Sequence, residues 1–273
     1  MVLPLRDLNP TKRVPIVTLL IIAINVVVYL LVQPHSTAQK SDAFVYEHAA
    51  IPCEIVHGRP LTVRQFRLGS CSVPKGDVAL QTNHGLVGVA NTPLVAHKNV
   101  YLAVFVSMFL HANLLHLLGN MLFLWIFGNN VEDHLGPFGY LLFYLVAGVV
   151  ATLAFVAANA GGVSPLIGAS GAIAGVMGAY LVWFPRARIL SVVLPLVFLP
   201  FYVPAALVLA VWFVTQFFTD PNSGVAWVAH VAGFAFGAAV AVSLRRTHGP
   251  VSRHIPPPPP LPGTWPGGMR GLD

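Results

Sequence analysis

Apolar residues run through this chain in long blocks, and charged positions are pushed to the ends of those blocks. There is no Lys, Arg, Asp or Glu from Phe138 to Phe184, from Ile189 to Thr219, or from Pro221 to Leu244. A helix of about 20 apolar residues crosses the roughly 30 Å hydrocarbon core of a bilayer, and lipid forces the backbone to satisfy its own polar groups. The pattern predicts an all-α polytopic membrane protein, a bundle of six transmembrane helices. The first span is Val14 to Val32. The second is centred on Leu114 to Phe127, behind an interfacial segment Tyr101 to Leu110, and is closed by a turn from Gly128 to Pro137. The third is Phe138 to Ala158, the fourth Gly168 to Phe184, the fifth Ile189 to Phe218 and the sixth Val225 to Leu244. Pro195, Pro200 and Pro204 bend the first part of the fifth span or lay it at the interface.

The organisation follows. Residues 1–13 form a cytoplasmic basic leader and 14–32 the first span; no small-x-small site follows that would make it a cleaved signal. Residues 33–100 form a long extracytoplasmic loop, 101–244 a core holding spans two to six, and 245–273 a cytoplasmic tail. The tail contains five consecutive prolines, Pro256 to Pro260, and is expected to be disordered or polyproline II.

Charge orients this arrangement. Arg6, Lys12, Arg13, Arg186, Arg188, Arg245 and Arg246 fall on one side, while the short loops Asn159 to Ile167 and Thr219 to Gly224 carry no Lys or Arg. By the positive-inside rule both termini are cytoplasmic. The chain is 56% hydrophobic and 9% charged, whereas soluble domains carry about 25% charged residues. Its net charge of +6 sits mostly at span ends, with no aromatic-interleaved basic patch, so nucleic acid is not an expected partner. Both cysteines, Cys53 and Cys71, lie in the long loop. They form either a disulfide, which an extracytoplasmic compartment permits, or two unpaired thiols.

Against this background the polar groups inside spans stand out: His116 and Asn120 in the second, Ser170 in the fourth, His230 in the sixth. Ionisable groups at membrane depth are functional candidates. All three spans run outside to inside, and at 1.5 Å per residue Ser170 and His230 lie about 5 to 8 Å below the outer boundary. His116 is close to that level and Asn120 one turn deeper. Small residues follow the same faces. Gly171, Gly175 and Gly178 line the fourth span, and Gly233 and Gly237 follow His230 at i+3 and i+7. The bland reading is tight helix packing with Ser170 as one more small residue. If the two small-residue faces meet, however, His230 comes within reach of Ser170, and a histidine beside a serine is the minimum for nucleophilic acyl transfer. With no carboxylate near that depth, a dyad is the natural form. Ser170 at a helix start offers free backbone N–H groups to an oxyanion, and His116 and Asn120 at i, i+4 can add side-chain donors. His111 is expected to make a structural hydrogen bond in the loop entering the second span. There is no H-E-x-x-H and no pair of intramembrane aspartates, so metal and aspartyl mechanisms lack their residues.

Four stretches carry a resemblance: H-A-N-L-L-H-L-L-G-N (111–120), V-E-D-H-L-G (131–136), G-A-S-G (168–171) and A-H-V-A-G-F-A-F-G (229–237). In order and spacing they resemble the rhomboid family of intramembrane serine proteases. The resemblance implies Ser170 as nucleophile, His230 as base, and an oxyanion hole from His116, Asn120 and the Ser170 backbone. It also implies a water-filled cavity opening outward, lateral access beside the fifth helix, and single-span membrane proteins as substrates, cut near their outer boundary. No cofactor or metal is implied. The expected location is the cell membrane, multi-pass, with the site toward the extracytoplasmic side. Four positions after the serine, where family members often carry an aromatic that stacks on the histidine, this chain has Ala174. The family's usual W-R dipeptide is absent from the first loop. The competing reading is a catalytically silent rhomboid-like protein that binds membrane clients.

Overall fold

The computed structural model describes residues 2–73, 79–82, 85–193, 197–219 and 226–248. The proline tail from residue 249, residues 220–224 of the last short loop, and Pro195 lie outside the described residues. The chain is mostly helical. Its main helices are α1 (Ile16–Val27, extended by a π-helical turn Val28–Val32), α6 (Leu114–Leu135), α7 (Pro137–Ala158), α8 (Ser170–Trp183), α9 (Ala205–Gln216) and α10 (Trp227–His248). By length and composition, α6, α7 and α10 can cross a membrane; α1, α8 and α9 are shorter apolar helices.

Helix α8 is the centre. Every residue from Gly171 to Tyr180 is buried, and α6, α7, α9 and α10 pack around it. The glycines explain how. A Cβ on Gly171 would come within 2.7 Å of Ala151 Cβ, and one on Gly175 within 2.7 Å of Ala147 Cβ. On the other side, a Cβ on Gly233 would strike the Gly171 carbonyl, one on Gly237 the Gly175 carbonyl, and one on Gly178 the Phe234 carbonyl. The two backbones are in contact, which only residues without side chains allow.

Two expectations need correction. The stretch from Gly128 to Asp133 is not a turn, since α6 continues to Leu135 and the chain reverses at Gly136, φ 75°, followed by Pro137 at the start of α7. The polar residues there have partners on other elements, so they do not break the helix. Asn130 Nδ2 donates to Asp7 Oδ2 (2.6 Å), and Asn130 Oδ1 accepts from Asn9 Nδ2 (2.7 Å). Glu132 accepts from the backbone N–H groups of Val17 (2.9 Å) and Thr18 (2.8 Å), occupying two of the free donors at the start of α1.

Nor is the chain all-α. The basic leader forms β1 (Val2–Asp7), which pairs antiparallel with β4 (Arg188–Val193); β4 pairs in turn with β5 (Val197–Pro204). The first part of the expected fifth span is therefore a pair of strands. Pro200 and Pro204 cannot sit inside a helix, and the β-branched residues around them suit a strand. Helix α9 starts directly after Pro204. Asp7 at the end of β1 also accepts from Tyr180 Oη (2.6 Å), fastening the sheet to the far end of α8.

The described residues of the loop 33–100 are folded. The loop holds α2 (Ala38–His48), α3 (Pro52–His57), α4 (Val63–Leu68) and a hairpin of β2 (Ala79–Thr82) with β3 (Gly85–Gly88), and α5 (Leu102–Val106) follows it. Thr62 and Gln65 make a reciprocal capping box at the start of α4. Cys53 and Cys71 are joined in a disulfide with Cα atoms 5.6 Å apart. Together with Ile51 and Leu61 they form a small separate core. His57 Nδ1 lies 3.5 Å from Cys71 Sγ, but both sulfurs are committed to each other, so this cluster is not a free metal-ligand set. Lys98 and Glu54 form a buried ion pair at 2.6 Å, with side chains 1% and 3% exposed. Burial pulls the Lys98 pKa below its usual value more strongly than Glu54 raises it. The folded loop is stitched to the segment before α8: Cys53 N–H donates to Gly162 O (3.0 Å) and Leu166 N–H to Ala50 O (2.8 Å).

Candidate active site

One end of the bundle gathers the first turns of α8 and α10, the last turn of α9 and the first turns of α6. Ser170 is the first residue of α8, His230 sits in the first turn of α10, and Gln216 is the last residue of α9. His230 Nε2 lies 2.8 Å from Ser170 Oγ, and its Nδ1 lies 2.8 Å from Gln216 Oε1. The close approach of Gly171 to Ala229 and of Gly233 to the Gly171 carbonyl is what allows the first distance. Longer side chains at those glycines would push the helices apart before the imidazole reached the hydroxyl.

His116 enters from α6, whose start is capped by Asn113 Oδ1 accepting from His116 N–H at 2.9 Å. Its Nδ1 accepts from the Ala112 N–H at 3.4 Å, which leaves Nε2 as the nitrogen that carries hydrogen. That nitrogen faces Gly168, where a Cβ would stand 3.0 Å from Nε2 and 3.7 Å from Ser170 Oγ. Gly168 has φ 120°, a conformation closed to side chains. Glycine here both turns the chain into α8 and leaves room for the imidazole. Asn120, one turn further along α6, is buried, and its Nδ2 has no hydrogen-bond partner among the described residues. The N–H groups of Ser170, Gly171 and Ala172 belong to the first turn of α8 and have no partner within the helix. The backbone N–H groups and His116 thus lie near the serine, with the unpartnered Asn120 amide one turn further along α6. Beside it lies a cavity of about 10 Å³ lined by Ser107, Met108, Thr152, Gly168 and Ser170, room for about one water.

His111 differs from expectation. Its backbone is what is held, through a reciprocal pair with Gln33: His111 N–H donates to Oε1 and His111 O accepts from Nε2, each at 2.9 Å. Its ring packs edge-on against His116 with centroids 5.1 Å apart. Ala174 is buried and provides no ring near His230. The aromatic neighbour is Trp212 of α9 instead, with centroids 5.8 Å apart. Neither Trp212 nor Gln216 stands out in the sequence. The available signal is the polar pair Thr215-Gln216 near the C-terminal end of the fifth apolar run.

A mostly helical bundle with candidate membrane-spanning helices, closed around a serine and a histidine at one end, defines a polytopic membrane protein with a buried polar site. The chain belongs to the rhomboid family: the Rhomboid domain matches residues 98–247, more than half of its length. It is 35% identical over 104 residues to the presenilin-associated rhomboid-like protein A, mitochondrial, of Danio rerio, covering 37% of this chain and 27% of that one. It is 32% identical over 137 residues to the Rhomboid protein 1, mitochondrial, of Saccharomyces cerevisiae, covering 49% and 32%. With the RHOMBOID-like protein 1 of Arabidopsis thaliana the identity is 35% over 95 residues, covering 35% and 24%. The chain spans about a quarter to a third of the length of the curated relatives it matches. The expected cell-membrane location is corrected by these names, two of which are mitochondrial and point to a mitochondrial membrane.

Proposed function

We propose that this chain is an intramembrane serine endopeptidase that cuts single-span membrane proteins near one face of the bilayer. The observation that carries the reading is the 2.8 Å contact between His230 Nε2 and Ser170 Oγ at the start of two helices packed backbone to backbone. In the reaction, His230 Nε2 takes the Ser170 proton as Oγ attacks the scissile carbonyl carbon. The carbonyl oxygen becomes an anion, held by the Ser170 backbone N–H, His116 Nε2–H and Asn120 Nδ2. Protonated His230 then gives its proton to the leaving amine nitrogen as the C–N bond breaks. Water, deprotonated by the same nitrogen, attacks the acyl-serine ester and frees the acid.

The bundle carries six spans with both termini on the side of the basic residues, α1, α8 and α9 crossing with the three longer helices. The site then opens on the opposite face, under the folded loop. By the names of its relatives, the membrane is a mitochondrial one. The division into leader, first span, folded loop, core and tail is part of the same reading.

Ser170→Ala and His230→Ala should each abolish cleavage of a model single-span substrate in proteoliposomes while leaving the thermal melt unchanged. Full-rate cleavage by either variant overturns the assignment. A fluorophosphonate probe should label Ser170 in the wild-type protein; an unlabelled, folded protein supports the silent client-binding reading instead. Asn120→Ala should cost about 10² to 10³ in rate, as for the loss of one oxyanion donor.

A further inference from the structure

We propose that Gln216 is the positioning residue of the site, fixing the tautomer and ring orientation of His230 from the end of α9; this rests on the Ser170–His230 reading above. Gln216 is 7% exposed, and its Oε1 lies 2.8 Å from His230 Nδ1. The direction of the amide is set by its other end. Gln216 Nε2 donates to the Trp212 carbonyl at 3.0 Å. Exchanging the two amide atoms would place two oxygens face to face there. The atom facing His230 is therefore the oxygen, which can only accept, so Nδ1 carries the hydrogen. Neutral imidazole has one N–H, and Nε2 is left with a free lone pair aimed at Ser170 Oγ at 2.8 Å. That is the tautomer a general base needs. The opposite tautomer would present an N–H to the serine and could not take its proton.

In soluble serine hydrolases a carboxylate performs this task. At membrane depth a carboxylate would be costly to bury. An amide supplies the same acceptor geometry without charge. It also stabilises an imidazolium less than an anion would, so its contribution is orientation more than electrostatics. Trp212, one turn earlier on the same helix, lies against the His230 ring at 38° between planes. The amide and the indole beside the base thus both come from α9, while α8 carries the nucleophile. A shift of α9 of an ångström or so would stretch the 2.8 Å bond beyond hydrogen-bond range. The competence of the base therefore depends on where α9 stands.

The test uses the full chain in detergent micelles with ¹⁵N-labelled histidine, beside kinetics in proteoliposomes. In the wild type, His230 should be protonated on Nδ1. Gln216→Met, nearly the same shape without an acceptor, should move the proton toward Nε2 and lower kcat by about 10-fold to 10²-fold with KM little changed. A wild-type His230 protonated on Nε2, or an unchanged tautomer and kcat in Gln216→Met, overturns the proposal. Should Gln216→Met fail to fold, the wild-type spectrum decides alone, and Nε2–H there overturns it. If the wild type cleaves no substrate, the dyad reading fails, while the histidine spectra still decide the role of Gln216.

Discussion

The seam between α8 and α10 and the folded loop 33–100 solve one problem by opposite means. In the seam, glycines remove side chains until two backbones touch, with Gly233 and Gly237 set against the carbonyls of Gly171 and Gly175. Lipid gives no hydrophobic drive for helices to associate, so close packing has to supply it. Among the described residues, the separate core of the folded loop is Ile51, Cys53, Leu61 and Cys71. So small a core cannot hold a fold alone, and the loop adds a disulfide and a buried ion pair. The seam is held by what is missing at each position, the loop by bonds that are added. The seam should therefore fail when anything is inserted, and the loop when anything is removed.

The largest effect should come from Gly237→Val. Its side chain would meet the Gly175 backbone, which cannot rotate away, and the helices must part. A misplacement of about 1 Å at the reacting atoms costs about 10²-fold, and cleavage should fall at least that far; retained activity would mean that the seam does not set the Ser170–His230 distance. In the loop, Lys98→Met leaves the Glu54 carboxylate buried without its partner and should cost about 3 to 5 kcal/mol. The double variant Lys98→Met/Glu54→Gln should recover much of that in thermal melts. Opening the disulfide with Cys53→Ser/Cys71→Ser frees a closure of 18 residues, worth about 3 kcal/mol. Melting that is insensitive to reductant would refute this. The smallest effect should be at Gly119, a helical glycine where an added Cβ would meet nothing within 4 Å. Gly119→Ala should be neutral or stabilising by up to about 1 kcal/mol, the reverse of the glycines in the seam.

The pattern of charge-free runs made the helices legible, because burial in lipid leaves little choice of residue. Ser170, His230, His116 and Asn120 could be named because polar groups are conspicuous in apolar segments. Gln216 escaped because it stands near the end of its run, where polar residues are ordinary, and its partner is 14 residues away on another helix. The extension of α6 through Gly128-Asn-Asn was hidden for a related reason: the asparagines look like turn formers until Asp7 and Asn9 are seen to bond Asn130. The strand formed by residues 2–7 could not be read locally, since its pairing partner lies at residues 189–193. The fold of the long loop depends on which cysteine meets which backbone, and spacing does not encode that.

The bond from Leu166 N–H to Ala50 O has a mechanical consequence. Only residues 167–169 separate this anchor from Ser170. Tension applied to the loop would load the serine along that short tether, and would load α1 through the few residues that join it to α2. A pulling handle on α2 should therefore lower the cleavage rate, and a rate unchanged under force would refute the coupling. In mechanical terms the loop and the serine are joined through Gly168.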